Sequence, residues 1–186
     1  MIKNTLIEIS NNFINLSKSG VTDIEKSAKT IIDSLKNGNK IMFCGNGGSA
    51  ADSQHLAAEL TGRYRKDRAP LSAIALTTDT SAITAIGNDF SFDDIFVRQI
   101  EALGKSGDIL YAISTSGKST NIINSIKKAK DMKIKTIGVT GNDGGNLNGI
   151  CDILIKVPSD RPDRIQEMHI AIGQIICEII ENNFFS

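Results

Sequence analysis

The sequence predicts an α/β domain in which a parallel sheet carries helices on both faces. Five short apolar runs rich in β-formers point to it, as do the helical stretches between most of them. Three of those runs also end in loops of small polar residues. Strands alternating with helices pair in parallel, because each crossover helix returns the chain to the same edge of the sheet.

Two helices come first. Leu6, Ile9, Phe13 and Leu16 within residues 2–18 form a seam with a period near that of an α-helix. Residues 23–37 form the second helix, with Thr22 or Asp23 as N-cap and Gly38 just past its end. The strand runs are Lys40–Cys44, Ser72–Leu76, Asp108–Ile113, Lys135–Thr140 and Asp152–Val157, and the intervening helices span 49–63, 93–103 and 119–132. A last helix, Arg164–Glu181, has apolar residues at 165, 168, 172, 175, 176, 179 and 180. That stripe is wider than a surface helix needs. Together with the N-terminal seam it predicts helices of several copies packing into a shared bundle. With no repeat, low-complexity tract or linker, residues 1–186 read as one domain.

Composition narrows the function classes. The 21 basic and 21 acidic residues of this 186-residue chain cancel. The basic excess of a nucleic-acid binder is missing, so no such partner is expected. Three widely spaced cysteines, Cys44, Cys151 and Cys177, form no metal-type pair and sit among apolar neighbours. They read as buried, inert thiols of a reduced compartment. Neither a signal peptide nor a membrane span is visible, so a cytoplasmic location is expected.

The strand-end loops carry the chemistry. Gly45-Asn46-Gly47-Gly48-Ser49 follows a strand and opens a helix, whose first free N–H groups suit an anion. Gly45, Gly47 and Ala50 also satisfy the dinucleotide pattern, but Leu76 is followed by Thr77 and Thr78 where an acidic residue should hold the ribose. Ser114-Thr115-Ser116-Gly117-Lys118-Ser119 sets four hydroxyls before a helix, which suits a phosphate monoester. It is not a Walker loop, because Ala112 stands where the first glycine belongs. Lys118 reads equally well as a solvated surface charge.

His55 and Glu59 lie four apart on one face of the helix that starts at the glycine loop. Such a pair serves as base and orienter, as two metal ligands, or as an ordinary surface pair. Gln166, Glu167 and His169 open the last helix beside Arg161, Asp163 and Arg164, a cluster that reads as a solvated helix end. Asn88 and Asp89 are either a turn or a group of donors and acceptors for sugar hydroxyls.

With these motifs in order, the chain resembles the sugar isomerase (SIS) domain family, and within it the sedoheptulose 7-phosphate isomerases. The resemblance covers nearly the whole chain. It is carried by CGNGGSAAD (44–52), QHLAAELTGRY (54–64), GND (87–89), ISTSGKS (113–119), VTGNDGG (139–145) and RIQEMH (164–169). It implies a three-layer, flavodoxin-like sheet of five parallel strands. It also implies a homotetramer with shared active sites, in which the N-terminal helices 1–38 take part in packing. The implied reaction converts D-sedoheptulose 7-phosphate to D-glycero-D-manno-heptose 7-phosphate through an enediol, on the way to activated heptose and lipopolysaccharide. Carried over by position, Asn46, Gly47, Gly48, Glu59, Asn88, Asp89, Ser114, Thr115, Ser116, Ser119 and Gln166 bind substrate. Glu59 is the catalytic base, and His55, Glu59, Gln166 and Gln174 stand at the positions of the zinc ligands, one zinc per subunit.

One position departs from the pattern. The family has a second histidine eight residues after the matching glutamine, as metal ligand and acid/base partner, where this chain has Gln174. An amide does not exchange protons near neutral pH, and His169 points about 140° away from position 174 around the helix. Two alternatives therefore stand beside the heptose isomerase. One is an isomerase of a related phosphosugar. The other is a non-catalytic SIS protein resembling the DnaA initiator-associating protein, which lacks a carboxylate corresponding to Glu59.

Overall fold

The structure is a computed structural model and describes residues 1–185. Five parallel strands lie in the order β2-β1-β3-β4-β5: β1 is Ile41–Gly45, β2 Ala73–Ala75, β3 Ile109–Ile113, β4 Lys135–Thr140 and β5 Ile153–Lys156. This is the doubly wound order of flavodoxin-like folds, with its switch point between β1 and β3. The strand residues alternate between two cores. Ile41, Phe43, Ile109, Tyr111, Ile113, Ile137 and Val139 face one side, and Met42, Cys44, Leu110 and Ala112 the other.

The first core is covered by α2 (Val21–Lys36), α3 (Gly48–Thr61) and α7 (Pro162–Phe184), with Leu16 of α1 (Ile2–Ser19) at its margin. The second is covered by α5 (Val97–Leu103) and α6 (Thr120–Asp131), with Ile83 and Ile86 of α4 (Thr80–Asp89) packed against it. The three-layer architecture is therefore as the sequence predicts.

The departures are local. α2 begins at Val21 behind Gly20, and neither Thr22 nor Asp23 caps it. Gly20 itself has near-helical dihedrals (φ −101°, ψ −13°), so α1 runs almost directly into α2. α4 has no counterpart among the helices read from the sequence. It is short, none of its residues is buried, and its N-cap is Asp79, whose carboxylate accepts the Ala82 N–H at 2.9 Å. Ile83 and Ile86 alone are too brief an apolar pattern to announce a helix. Asn88 and Asp89 close that helix rather than forming a turn.

The cluster at the start of α7 is not a solvated helix end. Arg164 is buried and pairs with Asp163 and Glu167, while exposed Arg161 bridges to Glu8 of α1. His169 is 1% exposed, and burial pulls its imidazole down to about 4, with the Thr140 backbone pulling the other way. Cys44 and Cys177 are buried and Cys151 only half so, yet burial pushes all three thiols up to about 12.

Much of the α1 face stays open. Ile2, Leu6, Ile7, Ile14, Val21 of α2 and Ile175 of α7 are exposed. Phe13, Leu16, Val21, Ile24, Ile175 and Ile179 line an apolar depression of about 380 Å³. No described helix is long and apolar enough to cross a membrane.

Candidate active site

The glycine loop and the serine loop follow β1 and β3, so they flank the switch point at the carboxyl edge of the sheet, where open α/β sheets bind ligands. In the glycine loop, Asn46 is tied to Asn121 of α6 by two reciprocal amide hydrogen bonds of 2.9 Å. Asn121 is 2% exposed and joins the two loops. Sequence reasoning missed it, since one asparagine in the first turn of a helix carries no distinguishing pattern. Gly47 is the N-cap of α3. Gln166 of α7 reaches in so closely that a Cβ on residue 48 would lie 1.9 Å from its Nε2. Glycine at 48 is therefore what admits the amide. Gly48→Ala is expected to cost little stability, within about 1 kcal/mol, because only the end of a flexible side chain must move. Substrate KM should rise several-fold as Gln166 is displaced. An unchanged KM would remove Gln166 from the binding set.

The serine loop is built to expose its donors. The buried Ser114 hydroxyl meets that of Ser119 at 3.4 Å, and Ser116 Oγ accepts the Lys118 N–H at 3.1 Å. Ser119 occupies the N-cap of α6, yet its hydroxyl does not cap the helix, so the first N–H groups of α6 stay free. Thr115, Ser116 and Lys118 line a hollow of about 210 Å³ with Asn142, Asp143 and Asp160 among the other walls.

The helix that leaves the glycine loop delivers the titratable pair. His55 Nε2 lies 2.9 Å from Glu59 Oε1, and Gln174 Nε2 lies 3.4 Å from the same ring nitrogen. The shorter contact decides the tautomer, because a carboxylate needs a donor: the Nε2 proton points at Glu59. His55, Glu59, Gly62 and Arg63 line an open depression of about 340 Å³, which shares no lining residue with the hollow beside the serine loop. The structure thus brings His55, Glu59 and Gln174 together, and Gln166 to the glycine loop. Asn88 and Asp89 are exposed and bond to each other at 2.8 Å. His169 lies in the core, on a different side of α7 from Gln174.

One turn before His55, Asp52 is 8% exposed and its Oδ2 has no hydrogen-bond partner among the described residues. Burial pushes the carboxyl up to about 6, against the pull of the His55 charge. A raised carboxyl favours the fold only while protonated. Its stabilising contribution is present below the unfolded value of about 3.9 and is lost as the pH rises through about 6. Asp52→Asn, neutral at every pH, is expected to unfold at higher temperature than the parent at pH 8 and at about the same temperature at pH 4. The gain at pH 8 should reach about 2–3 kcal/mol; equal shifts at both pH values would refute the assignment.

Among the described residues, no group of three or more histidine, cysteine, aspartate and glutamate side chains is placed to hold a metal ion.

Fold and site together define a doubly wound α/β protein with two polar loops at the carboxyl edge of its sheet. The family model of the SIS domain matches residues 7–141, and the chain belongs to that family. It is 61% identical over 159 residues to a phosphoheptose isomerase of Aliarcobacter butzleri, covering 86% of this chain and 84% of that one. It is 50% identical over 184 residues to the phosphoheptose isomerase of Akkermansia muciniphila, covering 99% and 97%. Among solved structures, the phosphoheptose isomerase of Neisseria gonorrhoeae superposes with a TM-score of 0.92 at 43% identity, over 97% of each chain.

Proposed function

We propose that the chain is an aldose–ketose isomerase that converts D-sedoheptulose 7-phosphate to D-glycero-D-manno-heptose 7-phosphate for heptose biosynthesis. The observation that carries this is the His55–Glu59 pair at 2.9 Å on the helix that begins at the glycine loop. An initiator-binding relative that lacks this carboxylate would have no use for the pair.

The serine loop holds the phosphate through the hydroxyls of Ser114, Thr115, Ser116 and Ser119 and the free N–H groups of α6. Asn46, Gly47, Gly48 and Gln166 orient the sugar, with Asn88 and Asp89 on its hydroxyls. Glu59 removes the proton from C1 of the ketose, the C1–C2 enediol forms, and the same carboxyl returns the proton to C2 of the aldose. His55 holds Glu59 in position and, as the exchangeable group beside it, moves the proton from O1 to O2. Gln174 can donate or accept a hydrogen bond to an oxygen but cannot carry that proton.

Zinc would be held by His55, Glu59, Gln166 and Gln174. Only the first two are strong zinc donors, whereas catalytic zinc sites present three. Such a site would be weak and exchangeable. Bound zinc would polarise the sugar oxygens; the proton transfers above do not depend on it.

The hollow at the serine loop and the depression at Glu59 share no residue, which supports active sites completed by a second copy in a homotetramer. The exposed apolar face of α1 and the depression beside Ile175 suit such an assembly. The reaction's place in heptose synthesis puts the enzyme in the cytoplasm. The direct test is turnover of sedoheptulose 7-phosphate by the purified protein, with and without added zinc. No turnover under either condition would sink the reading, and turnover of another phosphosugar alone would redirect it within the family.

A further inference from the structure

α3 ends at Thr61, where the carbonyls of its last turn have no helical partners. Arg68 supplies partners to those of Glu59 and Leu60, the latter shared with the Leu71 N–H. Its Nη2 donates to the Glu59 carbonyl at 2.7 Å, and its Nη1 to the carbonyls of Leu60 at 2.9 Å and Ala69 at 3.0 Å. Its third nitrogen, Nε, donates to Glu181 of α7 at 3.1 Å. Glu181 in turn accepts the backbone N–H groups of Tyr64, Arg65 and Lys66 at 3.0–3.3 Å. Burial pushes the Glu181 carboxyl up, but these donors outweigh it and hold the group below its ordinary value. The two side chains are only 1% and 3% exposed.

A buried ion pair is a costly way to tie a loop to a helix, because desolvation consumes most of the attraction and an apolar pair of similar volume often does as well. What an apolar pair cannot do is aim hydrogen bonds at the carbonyls of Glu59 and Leu60. The contacts that α3 and the loop after it make with α7 follow one line. His55 meets Gln174; Leu56 packs over Gly173, where a Cβ would come within 2.5 Å of it; and Arg68 meets Glu181. Gln174 and Glu181 are seven residues apart and so lie on nearly the same side of α7.

We propose that Arg68 and Glu181 are positioning residues of the isomerase: they fix the end of α3 and so set Glu59 and His55 against α7, without touching the sugar. The proposal rests on Glu59 being the base, and its test separates the two readings. The chain has two histidines, so its imidazole NMR spectrum holds two signals. His55 reports the site, and buried His169 reports the fold.

In Glu181→Gln and in Arg68→Lys, the His55 signal should move while that of His169 stays. With sedoheptulose 7-phosphate, kcat should fall about ten- to a hundredfold, as expected for a misplaced base, with KM changed less than about twofold. A His55 signal unmoved in both variants overturns the proposal. So does loss or joint displacement of both signals, which means that the pair merely holds the fold, and so does a rise in KM at constant kcat. If the His55 signal alone moves but the parent protein turns nothing over, the positioning role stands and the isomerase reading falls.

Discussion

Glu59→Gln is expected to lower kcat by about 10²- to 10⁴-fold, the usual share of a general base, while KM changes little. The split follows from the layout of the site. On the proposed reading phosphate affinity resides in the serine loop after β3, whereas Glu59 stands on α3 in a separate depression. The fold should survive, because among the described residues the only side-chain partner of Glu59 is the exposed His55, and the amide keeps the shape of the carboxylate. Proton transfer at carbon provides the sharper measurement. In heavy water the parent should place solvent deuterium at C2 of the aldose product and at C1 of recovered ketose, and Glu59→Gln should do neither. Retention of more than about a tenth of the parental rate would take Glu59 out of the base role.

Gln174→His should change two quantities at once. Position 174 already faces His55, at 3.4 Å from its ring, so an imidazole there would stand beside the His55–Glu59 pair. The strong zinc donors rise from two to three, the number that catalytic zinc sites use. Zinc affinity by equilibrium dialysis should tighten by more than the roughly 10- to 100-fold that second-shell changes produce. Turnover should rise as well, since the site gains an acid able to exchange protons near neutral pH. Tighter zinc without faster turnover would mean that His55 already carries the oxygen-to-oxygen proton transfer. Unchanged zinc affinity would mean that the four residues do not share one metal position.

Much of the site was legible along the chain. Strand ends fall where apolar runs give way to glycine and serine, and the carboxyl ends of parallel strands lie on one edge by topology alone. The spacing of His55 and Glu59 guarantees a shared helix face. By contrast, Asn88 and Asp89 could not be placed, because α4 has no buried stripe to give it a period. Nor could His169 be told from a surface histidine, since its burial depends on what β4 places opposite it.

The sequence by itself determined the layered α/β architecture, the two polar loops at the strand ends and the shared helix face of His55 and Glu59. Each of these follows from patterns within a few residues of chain, where helix and strand periods hold regardless of context. Only the tertiary structure decided that Gln166 enters the gap at Gly48, that Asn121 ties the two loops, and that Arg68 and Glu181 anchor the helix bearing Glu59. Those partners are separated by about a hundred residues or more, apart from Asn121, whose partner Asn46 is 75 residues away. What joins them is close packing and the need to satisfy every buried polar group. Both are properties of the assembled fold that no local pattern encodes.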